Sequence, residues 1–219
     1  MNIFDILGPV MIGPSSSHTA GAVRIGRVVR AILGECPVKA DIFLHGSFAE
    51  TYRGHGTDRA LAGGLLGLSP ADEGVRDSLN IAAREGISLN FHKGDLGDVH
   101  PNTAKIVATG VSGKSASITA SSVGGGRIRV IDLLGYPVDF EGQFNTLIIT
   151  HEDKPGTVGG VTKVLGGEGI NIAYMRVSRE RPGAQAIMII ETDQACDGLL
   201  VEKVKALSGI LTVAVYKPV

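Results

Sequence analysis

Two short runs near the start of the chain carry the residue types that acid–base and anion chemistry need. The first is Gly13-Pro14-Ser15-Ser16-Ser17-His18-Thr19. Its four hydroxyls and one imidazole stand just ahead of a stretch with helical periodicity. A helix N-terminus presents unpaired N–H groups and a partial positive charge, so the run suits a carboxylate or a phosphate. It equally suits a plain N-cap, for which one hydroxyl is enough. The second run is Gly54-His55-Gly56-Thr57-Asp58. Its glycines expose His55 and allow close backbone approach, and histidine titrates nearest neutral pH, which fits proton transfer. A surface histidine in a loop, with Thr57 or Asp58 capping the next helix, is the plainer alternative. His100-Pro101-Asn102-Thr103 and Ser122-Val123-Gly124-Gly125-Gly126 are weaker signals, and turn chemistry accounts for either. The glycine triplet lacks the spacing of a dinucleotide fingerprint or a phosphate-binding loop, which argues against nucleotide binding. No Gly-x-Ser-x-Gly elbow occurs.

The elements that must position these runs follow from periodicity. Val28, Val29, Ile32 and Leu33 recur with helical spacing, Arg24, Arg27 and Arg30 form a second stripe, and Gly34 and Pro37 close the helix. A strand is predicted over 38–48, where Val38, Ala40, Ile42 and Leu44 alternate with Lys39, Asp41 and Phe43. Helices follow around Leu61, Leu65 and Leu66 and over 72–85, with strands over 87–92 and 105–109. Residues 115–122 and 127–132 read as a hairpin around the glycine triplet. From Asn145 the grammar changes. A strand at 147–149, a turn at Asp153-Lys154-Pro155-Gly156, a helix over 157–166, strands over 170–178 and 185–191, a helix over 198–207 and a strand over 210–216 give the order βαββαβ of ferredoxin-like domains. The predicted fold class is therefore α+β, with one domain over 1–140, a second over 145–219, and a linker at 135–143 where Gly, Pro and acidic residues gather.

Bulk properties set the outer bounds. A chain of 219 residues makes one large domain or two small ones. The formal net charge of −1 gives no general pull toward nucleic acid or anionic membrane, and the absence of Trp argues against base-stacking platforms. Cys36 and Cys196 fit no metal-ligand spacing, and two thiols cannot hold a cluster that needs three or four. The expectation is a chain without a metal of its own, in a reducing, cytoplasmic setting. The opening MNIFDILGPVM has no basic leader and is broken by Asp5 and Gly8, so neither signal peptide nor membrane span is expected.

Taken in order, GPSSSHTAG, HGSFAETYRGHGTDRAL, HPNT and SSVGGGRIRV resemble the β-domain of bacterial iron–sulfur L-serine dehydratases over residues 1–140. The resemblance implies a reaction in which L-serine loses water and then ammonia to give pyruvate. A unique iron of a four-iron, four-sulfur cluster (4Fe-4S) acts there as Lewis acid on the leaving hydroxyl. The cluster cysteines belong to the family's α portion, so the resemblance implies a separate α subunit as partner. Ser15, Ser16, Ser17, His18 and Thr19 would hold the substrate carboxylate and amine. His55 would transfer the proton, with Thr57 and Asp58 orienting it or the substrate. His18 and His100 are its rivals as base, and Asn102 beside His100 would join the substrate site. Threonine remains open as a minor substrate. One departure from the family stands at Gly21-Ala22, where a Gly-Pro is often found. The intervening domain of some 3-phosphoglycerate dehydrogenases resembles the same fold, and implies the alternative of a non-catalytic module that senses an amino acid or phosphoglycerate.

The C-terminal segment resembles the ACT domain over 145–219, through Asp153-Lys154-Pro155-Gly156 and Gly169-Ile170-Asn171-Ile172. That implies a small-molecule effector at Asp153, Pro155, Gly156, Asn171 and Ile172, or a module used only for dimerisation. Pairing of edge strands across two copies would cover a sticky sheet edge, so a homodimer, or a dimer of αβ pairs, is expected.

Overall fold

The computed structural model describes residues 10–219; the opening segment, read above as lacking a leader, lies largely outside them. The chain forms two compact units. One runs to Gly135 and takes back Asp139–Glu141 and Val219, and the other comprises Tyr136–Val138 and Gly142–Pro218. Among the described residues no helix is long and apolar enough to cross a membrane.

The first unit opens with a π-helical turn, Ser17–Gly21, that continues into helix α1 (Ala22–Leu33) and ends on Gly34. Strand β1 (Pro37–Leu44), helices α2 (Gly46–His55) and α3 (Thr57–Leu66), a 3₁₀ turn (Glu73–Asp77) and helix α4 (Ser78–Arg84) follow. Strands β2 (Ser88–Lys93), β3 (Thr103–Gly110), β4 (Ser115–Gly124), β5 (Arg127–Leu133) and β6 (Tyr136–Phe140) complete a six-stranded sheet of order β2-β1-β3-β4-β5-β6. The β1–β2 pair is parallel and the β1–β3, β3–β4 and β4–β5 pairs are antiparallel. One face of β1, β3 and β4 buries Ala40, Ile42, Leu44, Ala104, Ile106, Ala108, Ile118 and Ala120. The alternation fails at Val38, which is exposed, because the β1–β3 register slips between Pro37 and Lys39. The hairpin between β4 and β5 turns on Gly124, Gly125 and Gly126, all at positive φ, a run that only glycine adopts without strain.

Helices α1 and α3 meet almost backbone to backbone. A Cβ on Gly64 would collide with the Val23 carbonyl, and one on Gly26 with the Leu61 carbonyl. The arginine stripe of α1 serves this packing. Arg27 donates to the Gly67 carbonyl that ends α3, and Arg24 to the Gly126 carbonyl of the hairpin.

Three elements differ from the sequence reading, one of them the helix predicted over 72–85, which is a 3₁₀ turn (Glu73–Asp77) followed by α4 (Ser78–Arg84). The strand predicted over 38–48 stops at Leu44, and residues 46–55 form helix α2. The switch is tertiary. The His45 and Phe48 N–H groups donate to the carbonyls of Thr103 and Pro101, and a Cβ on Gly46 would collide with Pro101. The His-Pro-Asn-Thr run thus seats the first turn of α2. The predicted linker also contains a strand, β6, within its span.

The second unit is a four-stranded sheet of order β10-β7-β9-β8 with two helices. Its elements are β7 (Asn145–Glu152), α5 (Thr157–Gly167), β8 (Ile172–Arg179), β9 (Gln185–Thr192), α6 (Gly198–Lys205) and β10 (Ile210–Tyr216). The order βαββαβ is the expected one. Its core gathers Leu147, Ile149, Val161, Leu165, Met188, Ile190, Leu200 and Val204 between sheet and helices.

Candidate functional site

The centre of the first unit's site is His18, only 7% exposed. Its position follows from the glycines around it. A Cβ on Gly13 would collide with the Thr19 side chain and one on Gly21 with Ser122 Oγ, so the turn lies flush on its neighbours. On one side of the imidazole, Nδ1 faces Ser17 Oγ at 3.1 Å and Ser15 Oγ at 3.4 Å, and the two hydroxyls lie 3.1 Å apart. On the other side, Nε2 faces Thr51 Oγ1 at 3.2 Å and Ser47 Oγ at 3.5 Å. Thr51 donates its own hydroxyl proton to the Ser47 carbonyl at 2.7 Å. Its oxygen is then left to accept, which assigns the proton of His18 to Nε2 and leaves Nδ1 to accept from a serine.

The rings of Phe48 and His55 stand edge-to-face against His18, with centroids at 5.3 and 4.7 Å. Burial, and then repulsion from His55, push the His18 pKa below the ordinary imidazole value, so it is neutral at pH 7. His55 itself is exposed at the C-terminal end of α2, where Gly56, at positive φ, turns the chain directly into α3.

His55 opens onto a cavity of about 550 Å³. Gly13, Pro14, Thr19, Gly54 and Gly56 form part of its wall, and Arg59 and Arg76 line it with them. The structure therefore brings together Ser15, Ser17, His18, Thr19 and His55, with Ser16 next to them in the turn. It places other candidates elsewhere. Thr57 is fully buried, with an Oγ1 that finds no hydrogen-bond partner among the described residues. Asp58 is 8% exposed, accepts from the Arg59 N–H, and faces a second cavity lined by Tyr52, Arg53 and Phe91. Burial raises its pKa, against the opposing pull of the Arg59 N–H and the neighbouring arginines. His100 is exposed, and its Nδ1 accepts from the Asn102 N–H. The Asn102 carbonyl ties the start of β3 to β4 by accepting from the Ser122 N–H, while its Oδ1 is buried without a hydrogen-bond partner among the described residues.

Ser47, Thr51, Arg59 and Arg76 were not among the sequence candidates. A usable signal existed for two of them, since Ser47, Thr51 and His55 recur every four residues and share one helical face. Nothing local marks the arginines, which only the tertiary fold brings to the cavity.

In the second unit, the turn ahead of α5 has its polar groups engaged. Asp153 Oδ2 accepts from Arg179 Nη1 at 2.7 Å and from the Gly183 N–H at 3.0 Å, and these bonds, that of Arg179 foremost, lower its pKa. Asn171 donates to Asp193 at 2.6 Å, and its N–H donates to Gln194 at 2.8 Å. Gly156, at positive φ, caps α5 beside the exposed Pro155, and Ile172 begins β8, half-buried.

Among the described residues no three His, Cys, Asp or Glu side chains come together as a metal-holding group. Cys36 and Cys196 are free thiols in different units. Among the described residues these two thiols do not supply the three or four thiolates an iron–sulfur cluster needs.

The chain thus combines a unit with a cluster of hydroxyls around a buried histidine and a βαββαβ unit of the ferredoxin-like order. Comparison with known proteins gives it a family. The family described as "Serine dehydratase beta chain" matches residues 2–86, and the ACT domain family matches residues 145–209. A Bacillus subtilis protein named "Probable L-serine dehydratase, beta chain" is 44% identical over 212 residues, 97% of this chain and 96% of its own. The L-serine dehydratase beta chain of Peptoniphilus asaccharolyticus is 36% identical over 192 residues, 87% of this chain and 86% of its own. The D-3-phosphoglycerate dehydrogenase of Bacillus subtilis is 26% identical over 192 residues, which are 88% of this chain and 36% of that protein. The chain belongs to the serine dehydratase β-chain family.

Proposed function

We propose that the chain is the β subunit of an L-serine dehydratase, a lyase that converts L-serine to pyruvate and ammonia, and that its 4Fe-4S cluster is carried by a separate α chain. The observation that carries the reading is the packing of exposed His55 against buried, neutral His18 at the cavity mouth. His55 takes the Cα proton. Because His18 is uncharged, the imidazolium that forms on His55 meets no like charge 4.7 Å away. The four hydroxyls hold His18 in one tautomer and one orientation, which fixes the ring that His55 leans on. Loss of the Cα proton and of the β-hydroxyl, as water, leaves an enamine that tautomerises and hydrolyses to pyruvate and ammonia.

In this reading the ACT unit receives a small-molecule effector and pairs with a second copy, and the protein works in the cytoplasm. The test is anaerobic co-purification of the full chain with a cognate α chain, followed by an iron count and a pyruvate assay. Turnover is expected from the pair and none from this chain alone. Turnover by this chain alone, or an inactive iron-loaded pair, overturns the proposal. The partial match to phosphoglycerate dehydrogenases favours a second reading, a sensor module, which predicts ligand binding without turnover in the same assay.

A further inference from the structure

The cavity in front of His55 has a charge of one sign. Arg59 and Arg76 line it, and among the described lining residues there is no carboxylate. Five other arginines are committed. Arg24 and Arg27 donate to backbone carbonyls, and Arg84, Arg129 and Arg179 pair with Asp77, Asp139 and Asp153. Among the described residues neither Arg59 nor Arg76 enters an ion pair closer than 4 Å. Asp58, next to Arg59 in sequence, attracts Arg59 but lines the second cavity and not the first. The hydroxyls of Ser15 and Ser17, meanwhile, are turned to His18. A cavity of about 550 Å³ is roomier than a molecule of serine's size and does not by shape alone place a Cα next to His55.

We infer that Arg59 and Arg76 clamp the substrate's α-carboxylate, and so set both the substrate class, a free α-amino acid, and the direction its Cα faces. A guanidinium offers a planar fork of donors matched to a carboxylate. Arg59 sits in the first turn of α3 and Arg76 on the 3₁₀ turn, two elements of one unit that both line this cavity. The inference rests on the dehydratase reading for its substrate, and its test separates the two.

The test uses Arg59→Gln, Arg76→Gln and the double variant in the full chain assembled with its α chain. Both side chains belong to exposed residues, so folding is expected to survive, and circular dichroism checks it. Each single change is expected to raise KM for L-serine about ten- to a hundredfold, the size of one charge-assisted hydrogen bond, with kcat changed far less. Arg59→Lys should recover part of the loss. In parallel, calorimetry of the full chain alone should show L-serine binding better than L-serinamide, a preference the double variant loses. Unchanged KM in an active double variant overturns the clamp, and so does an unchanged preference for L-serine over its amide. An inactive wild-type assembly overturns only the lyase reading, and the clamp is then decided by the calorimetry.

Discussion

The polar turns ahead of α1 and ahead of α5 are made of similar parts, a glycine-flanked loop running into a helix, and they use those parts in opposite ways. In the first unit, Ser15, Ser17, Ser47 and Thr51 converge on one imidazole, and the groups left over, His55, Arg59 and Arg76, face an open cavity. In the second, Asp153 is bound by Arg179 and Gly183, and Asn171 is bound to Asp193 and Gln194. Around the first turn, whose hydroxyls are spent on His18, neighbouring elements keep His55, Arg59 and Arg76 open to a cavity. The second has its own side chains as partners, so a ligand that uses Asp153 Oδ2 or the Asn171 amide N–H there must compete with Arg179 or Asp193. Catalysis requires standing, preorganised groups, whereas a control site benefits from contacts that a ligand exchanges. The contrast is what a subunit with one working site and one regulatory site would need.

The sharpest way to break this comparison is to remove the exposed member of the histidine pair. In the assembled enzyme, His55→Gln is expected to lower kcat roughly a hundred- to ten-thousandfold, the range of a general base. KM should move little, because the side chain is not asked to bind the carboxylate. A variant with near-normal kcat would leave the first turn no more committed to chemistry than the second.

The next largest effect concerns the frame of the first site. Gly64→Ala places a methyl against the Val23 carbonyl at the α1–α3 crossing. Neither helix can yield without moving the π-turn that holds His18. Overpacking of this kind costs about 3 kcal/mol. Denaturant unfolding monitored separately in the two units should show the loss in the first unit and leave the second unchanged. Equal loss in both would mean that the units do not fold as separate cooperative blocks.

How far these features could be read from the sequence depended on whether their signals were local. The βαββαβ order of the second unit was legible because each strand and helix carries its own periodicity. The Ser15–Thr19 run and His55 were legible because glycines punctuate them. Helix α2 was not, since its start is dictated by carbonyls of Pro101 and Thr103, more than fifty residues away, and the apolar alternation of β1 runs on misleadingly toward Phe48. Missing that helix meant missing Ser47 and Thr51, although the four-residue spacing to His55 was visible. The same range limit applies to Asp58, which stands three residues from His55 yet faces another cavity because a helix turn rotates it away. Arg59, one residue further, faces the first.

The smallest effect separates the turns by pH. Burial holds folded His18 below its unfolded pKa, so on acidification the unfolded chain takes up that proton first. The stability it contributes is intact above about 6.5, the unfolded value, and is lost as the pH falls below it toward the folded value. Asp153 is also depressed in the folded state, by its bonds to Arg179 and Gly183, but its unfolded pKa lies near 4. Its contribution therefore begins to fade at a lower pH than that of His18, and is lost as the pH falls through its own folded value. Segment-resolved hydrogen exchange should thus show the first unit beginning to loosen as the pH falls below about 6.5, with the turn ahead of α5 beginning to loosen only below about 4. His18→Gln should flatten the first step alone and Asp153→Asn the second alone. A first step that survives His18→Gln would place the neutral imidazole somewhere other than the centre of this site, and with it the reason His55 can take up a proton beside another histidine.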